Sequence, residues 1–491
     1  MRFVGRRAEA HGPTSKGWVL RGVRLSVLSL GLGLVACGGR GGPSAAAPPP
    51  PAPPASEAAR DSETAEERAD REAQELVNAA LARIAALRGL TPRGPVDARH
   101  LTAAELVREV EDSLERHVPP RAIQGTSEML FALGTVPPNF DYRKSLATLM
   151  GTDLAGLYDP DRKRMFLRGD MDETALEATL LHELVHALQD QHYGLDRILK
   201  WRDDATDELS ALSALAEGDA TSAMLDAMLA ETGRVAHELP TELLETQMRM
   251  MTGSAHDGAV VPGILKRSLI SPYVDGLRFV HGVRQERGWQ GVDEVWQRPP
   301  ATTEQLLHLD KYRANEGAQA VPVPPAPPTA PAQGAWEVLL HDVWGEQSLR
   351  LLFEEWMPTR TAAVSATGWA GDRIVAFSAG EHRALAWHVV ADDEEAARRM
   401  HVAFLRGVFG KGWSADPSPV ADVSEEAAKG HLAAGELCRE RPGAGPFLAE
   451  RRGRRLAVVA GPYLRPASGE APRSASDCDQ ARLWAASVLD D

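Results

Sequence analysis

The chain has 491 residues, 43% hydrophobic, 25% charged and 5% aromatic, with a formal net charge of −15; that length is a prior for about three domains. Residues 1–36 carry six Lys/Arg and one Glu, which leaves −20 from Cys37 onward. So acidic a body excludes nucleic-acid binding and attachment to anionic lipid by charge alone, since both need a basic face. Three cysteines exclude a disulfide-built mini-scaffold and a four-thiolate zinc site.

At the N-terminus, Arg2, Arg6, Arg7, Lys16, Arg21 and Arg24 precede the apolar run LSVLSLGLGLVA at 25–36. A basic segment followed by an apolar run too short to cross a ~30 Å hydrocarbon core reads as a secretory signal peptide over 1–36. The run closes as Leu-Val-Ala before Cys37, with Gly38 next. This resembles the lipobox of bacterial lipoproteins, which implies acylation of Cys37, lipidation as the route to a membrane, and a place in the cell envelope. The expected site is the outer membrane, facing the periplasm or the surface. Residues 37–61 are rich in Pro, Gly and Ala, which favours an extended spacer without a core. In an exported chain the two remaining cysteines, Cys438 and Cys478, are expected to form a disulfide.

From 62 to 117 the apolar residues recur three and four apart, predicting two helices, the second stopped by Pro119-Pro120. A further short helix, EMLFALG, is closed by Pro137-Pro138. Around Asp159-Pro160-Asp161-Arg162 the period changes, and DLAGLYDPDRKRMFL predicts a β-hairpin. Helices follow over 173–191, 207–229, 268–287 and 291–297. The Pro-rich stretch 321–334 reads as a linker or surface loop, and 336–356 as a strong helix. Strands at 373–378 and 383–390, a helix at 393–408, a hairpin over 447–459 and a last helix at 476–489 complete a small α+β unit.

One motif carries chemistry: His182-Glu183-Leu184-Val185-His186, inside the apolar run ETALEATLLHELVHALQ. On a helix, residues four apart share a face, so both imidazoles can reach one ion, and Glu183 can lean over the open position as a general base. A charged Glu between two buried His would be costly without a metal. Zn2+ is therefore the expected cofactor.

For the third ligand, His192 has the metzincin count HExxHxxxxxH, but that arrangement turns the chain at a Gly where this sequence has Gln189. If the helix runs on, His192 lies roughly 240° around from His186, while Asp190 stays on the ligand face and could orient an imidazole. The favoured ligand is Glu217, whose helical neighbours Ser213, Ala214, Gly218, Ala220 and Thr221 are small enough for a close helix–helix approach. His192, Glu208 and Asp219 remain as alternatives. A Tyr or His beyond the metal is expected to stabilise the transition state, with Tyr273, His281 and His308 as candidates.

The segments LAGLYDPDRKRMFL, HELVHALQDQHYGL and LAEGDATSAML together resemble a family of exported bacterial and archaeal HExxH proteins. That family's pattern is a GFYDP hairpin, an HALQDQ helix and an EGDA helix. The likeness continues through PPATTEQLLHLDKY and through GWAGDR at 368–373, covering roughly 87–404; Leu309 departs from the family's Pro. The resemblance implies a gluzincin-like zinc metallopeptidase with Glu217, the Glu of EGDA, as ligand. In zincins an edge strand pairs with the substrate, a role that strands near 155–158 or 165–167 could fill.

The resulting expectation is an α+β protein. It has a mostly helical zincin-like metallopeptidase domain over 62–320 with a short hairpin or edge strand, a Pro-rich linker over 321–334, and a smaller α+β unit over 335–491. Zinc held by His182, His186 and Glu217, with Glu183 as base, would hydrolyse a peptide or protein substrate, and no nucleic acid is involved. The competing expectation is a catalytically inactive zinc-binding or structural envelope lipoprotein.

Overall fold

The structure, a computed structural model, describes residues 63–151, 155–168, 173–244, 246, 261–329, 331, 334–410 and 423–490. The expected signal peptide, tether and acylated Cys37 lie outside them. The protein is α+β, as its periodicities predict. No helix among the described residues is long and apolar enough to cross a membrane.

The N-terminal half is built on helices. Helix α1 (Ala65–Arg88) starts at a Thr64–Glu67 capping box and ends at Gly89, whose φ of 77° suits a residue without Cβ. Strand β1 (Asp97–Leu101) follows, then α2 (Ala103–His117), capped by Thr102 and Glu105, and α3 (Pro120–Ala132). The hairpin expected around Asp159 is present as β2 (Gly156–Asp159) and β3 (Arg164–Arg168), paired antiparallel with Tyr158 opposite Met165. Strand β1, which the helical reading of 62–117 missed, runs parallel to β3. Its five residues, DARHL, are too short and polar to announce a strand, and a tertiary contact helps to hold it. The Gln74 amide accepts from Ala98 N and donates to the Val96 carbonyl. The order β1-β3-β2 leaves β2 at an edge of this small sheet.

Three long helices carry the centre of this half: α4 (Glu173–Tyr193), α5 (Thr206–Leu229) and α6 (Gly263–Gln297), the last bent at Gly288. Buried ion pairs tie the helices together. Arg88 of α1 reaches Asp219 of α5, and Arg284 of α6 reaches Asp226 of α5. Trp289 lies under both guanidinium groups, 4.4 and 3.7 Å from them.

The C-terminal half is an antiparallel sheet of strands β4 (Glu337–Asp342), β5 (Trp369–Ala379), β6 (His382–Ala391), β7 (Cys438–Arg441), β8 (Gly445–Arg452), β9 (Arg455–Leu464) and β10 (Arg473–Ser474). The order is β4-β5-β6-β9-β8-β7, with β10 on β9. The helix expected over 336–356 is corrected to strand β4 followed by helix α7 (Gly345–Phe353). The apolar spacing there suits either period. Gly345, at φ 75°, breaks the continuous helix, and pairing with β5 makes the first half a strand. Helix α8 (Glu394–Phe409) packs on the sheet through Phe404, and α9 (Cys478–Asp490) closes the other face with Trp484.

One hydrophobic cluster runs from Leu106 and Phe131 in the first half to Trp387, Phe404 and Tyr463 in the second. Val321 packs with Ala370 and Val390, and the Pro325 carbonyl accepts from the Trp484 indole, so the Pro-rich stretch lies along the sheet. Cys438 and Cys478 are joined, with Cα atoms 5.9 Å apart. Closing that 40-residue separation contributes on the order of 4 kcal/mol in a chain-entropy account.

Where the start of α5 meets the end of β4, the Asp342 carboxyl is engaged by Thr206 N, Thr206 Oγ1 and Val343 N. Burial pushes its pKa up, against these hydrogen bonds, to about 7. Folded Asp342 therefore keeps its proton at a pH where the unfolded chain, near 3.8, has released it. The sign follows: this group's contribution is greatest at low pH and is lost as pH rises from about 4 towards 7. Asp342→Asn mimics the protonated acid, because its amide can donate to Thr206 Oγ1. Thermal melts at pH 5 and pH 7.5 should show a smaller drop for the variant than for wild type; parallel curves would contradict the assignment.

Candidate metal centre

Helix α4 is apolar around most of its circumference: Leu180, Leu181, Leu184, Val185, Ala187 and Leu188 are all buried. The helix is therefore enclosed, which carries its polar residues inside with it. His182 and Glu183 are buried and His186 nearly so. One turn apart, the two imidazoles meet edge to face, with ring centroids 4.8 Å apart and Nε2 atoms 3.2 Å apart.

Glu217 arrives from α5, its Oε2 lying 3.0 Å from His182 Nε2 and 3.6 Å from His186 Nε2. The residues after it explain why it is there. Gly218 lies against Gly276 of α6, so close that a Cβ would fall 2.1 Å from the Gly276 carbonyl group. Asp219 takes hydrogen bonds from the Arg88 guanidinium at 2.6 and 3.2 Å and from the Trp296 indole at 2.9 Å. The small residues of α5 thus serve two contacts: Ala214 and Gly218 admit α6, while Ala220, Ala223 and Ala227 pack with the α4 leucines.

The three ligand atoms fit a metal on geometry. A tetrahedral ion with bonds of ~2.0–2.1 Å holds its ligand atoms about 3.3–3.4 Å apart, and the separations here are 3.0, 3.2 and 3.6 Å. Two imidazole nitrogens and one carboxylate oxygen are also a donor set suited to zinc.

The electrostatics agree. Burial lowers His182 below its ordinary value. At His186 burial also pulls downward, but the Glu217 charge and hydrogen bond outweigh it and raise the imidazole to about 9. Burial pushes Glu217 up, yet the His186 charge and hydrogen bonds to both imidazoles hold it at about 2. The site keeps an ionised carboxylate facing a proton that a divalent cation would displace.

Glu183 points to the hairpin, where its Oε2 accepts from the Tyr158 backbone N–H at 3.0 Å. Edge strand β2 therefore adjoins the HExxH turn. Asp190 corrects an expectation: it does not touch an imidazole. It accepts from Tyr158 Oη, Lys163 Nζ and Leu195 N, fixing the hairpin and the chain beyond α4. The imidazole partner is Gln189, whose Oε1 lies 2.9 Å from His186 Nδ1. Sequence reasoning treated Gln189 only as an obstacle to a helix break; its place three residues after a histidine was the available signal. The longer side chain reaches the ring, while the shorter Asp190 is taken up by Tyr158 and Lys163.

Tyr273 of α6 is buried beside the centre, its ring 5.7 Å from that of His182. His308 pairs with Glu346 at 2.8 and 3.1 Å, and His281 with Gln285 at 2.9 Å. Among the alternative ligands, His192 hydrogen-bonds the Thr91 carbonyl at 2.8 Å, and Glu208 pairs with Arg202 at the surface. Asp219 is held by Arg88. A second acidic group, Glu304, Glu316 and Asp392, has the Lys311 ammonium at its centre, 2.6, 2.6 and 2.7 Å from the three carboxylates. That ammonium already occupies the centre of the group.

The family described as a domain of unknown function, DUF8575, matches residues 337–469, which hold strands β4 to β9 and α8 rather than the His–Glu centre. A solved structure from Chloroflexus aurantiacus, provisionally called a hydrolase with a novel fold, is 17% identical. The match covers 53% of this chain and 93% of that one at a TM-score of 0.29, too low to support an argument. No curated protein matches the chain.

Proposed function

We propose that the protein is a zinc-dependent peptidase of the HExxH type, anchored at a membrane through Cys37. The supporting observation is the convergence of His182 Nε2, His186 Nε2 and Glu217 Oε2 at tetrahedral spacing beside Glu183. His182, His186 and Glu217 would hold the ion. When bound, zinc supplies a Lewis acid that brings the pKa of a coordinated water towards ~7 and polarises a carbonyl.

The other steps belong to the chain. Glu183, steadied by the Tyr158 N–H, takes the proton of the attacking water and later delivers it to the leaving amine. An extended peptide would lie along edge strand β2, whose outer side adjoins α4. Tyr273 is the candidate donor to the carbonyl oxygen as charge develops there.

The test is metal dependence. The purified protein should contain stoichiometric zinc and cleave an unfolded protein substrate. Stripping with 1,10-phenanthroline should abolish cleavage, and added zinc should restore it. Undiminished cleavage by metal-stripped protein, or wild type without zinc, would overturn the reading.

A further inference from the structure

We infer that Gln189 is a positioning residue that fixes the His186 tautomer and clamps together the two helices that carry the proposed ligands. The inference rests on the zinc reading and concerns how the site is preorganised. Gln189 is fully buried and makes two hydrogen bonds through opposite ends of its amide. One end meets His186 Nδ1 at 2.9 Å, and the other meets the Ala216 carbonyl at 3.0 Å.

A carboxamide can be drawn either way round, but here chemistry removes the ambiguity. A backbone carbonyl only accepts, so Gln189 must present its NH2 to Ala216. Its oxygen therefore faces His186, and an oxygen acceptor requires Nδ1 to carry the proton. Once an incoming cation displaces the second proton, the lone pair is left on Nε2, the atom that faces His182 Nε2 and Glu217. Ala216 immediately precedes Glu217, so the same amide ties the second histidine on α4 to the third ligand on α5. Hydrogen bonds from an outer residue to a metal-binding imidazole orient the ring and raise its basicity.

Two substitutions separate this role from simple packing. Gln189→Met keeps the length and loses both hydrogen bonds. Gln189→Glu keeps an acceptor for His186 Nδ1 but loses the donor to Ala216. Zinc affinity, read by competition with a chromophoric chelator, should fall about 10–100-fold in Gln189→Met. It should fall by less in Gln189→Glu, which keeps the His186 contact and loses the clamp alone. Equal weakening in both variants would mean that only the clamp to Ala216 matters, and wild-type affinity in Gln189→Met would remove the role altogether; either result overturns the inference.

If Gln189→Met does not fold, the wild type decides. In zinc-loaded protein labelled with 15N-histidine, two-bond correlations should show His186 protonated at Nδ1 and metal-bound at Nε2. The opposite assignment overturns the inference. Wild type that takes up no zinc overturns the metal reading instead, which keeps the two failures distinct.

Discussion

Glu183→Gln is expected to keep stoichiometric zinc and to lose about 10²–10⁴-fold in peptide hydrolysis, the usual contribution of a general base. The substitution is nearly isosteric, and the glutamine oxygen can still accept from Tyr158 N, the hydrogen bond that holds Glu183 to the hairpin. The expected ligands His182, His186 and Glu217 are untouched, so metal content should not move. What changes is that an amide cannot take a proton from water. The measurement is kcat on a peptide substrate beside zinc content on the same preparation. Turnover like that of wild type in a zinc-loaded variant would remove Glu183 from the mechanism. Loss of both zinc and turnover would mean that the residue supports the site rather than acting in it.

The legible parts of the site are those whose signal is local. His182 and His186 are four apart on an apolar helix, and that spacing alone predicts their shared face. Glu217 was readable because its neighbours are small, although the close approach made by Gly218 is to Gly276 of α6. The hairpin around Asp159 and the Cys438–Cys478 bridge were likewise fixed by short-range pattern and by a count. The rest depends on partners distant in sequence. Strand β4 has helical spacing and becomes a strand because β5 is there to pair with it. Strand β1 is stabilised by Gln74 and by β3, neither of which its own five residues reveal. Asp190 sits on the expected face, but Tyr158 and Lys163 draw it away, and no periodicity argument carries that information. Local pattern thus picked out side chains that converge, while long-range contacts decided which neighbours touch them.

The third ligand is where removal should have the largest effect on metal. Glu217 contributes the only carboxylate among the three converging groups, and its ionised form offsets the burial of two imidazoles and a dication. Glu217→Ala would leave two neutral nitrogens in a poorly hydrated pocket, an unfavourable host for a divalent ion. Its loss should exceed the ~10–100-fold seen when only an outer hydrogen bond is removed, leaving the protein nearly empty after dialysis against a weak chelator. His192→Ala should behave oppositely. Helix α4 does not break at Gln189; it runs to Tyr193 and stops at Gly194, whose φ is 70°. His192 therefore stays on a face directed to Thr91, and its removal costs one hydrogen bond to that carbonyl. Zinc per chain, measured on both variants after the same dialysis, discriminates between the two arrangements. Retention in Glu217→Ala with loss in His192→Ala would require α4 to unwind beyond His186 on binding metal, and the ligand set proposed here would be wrong.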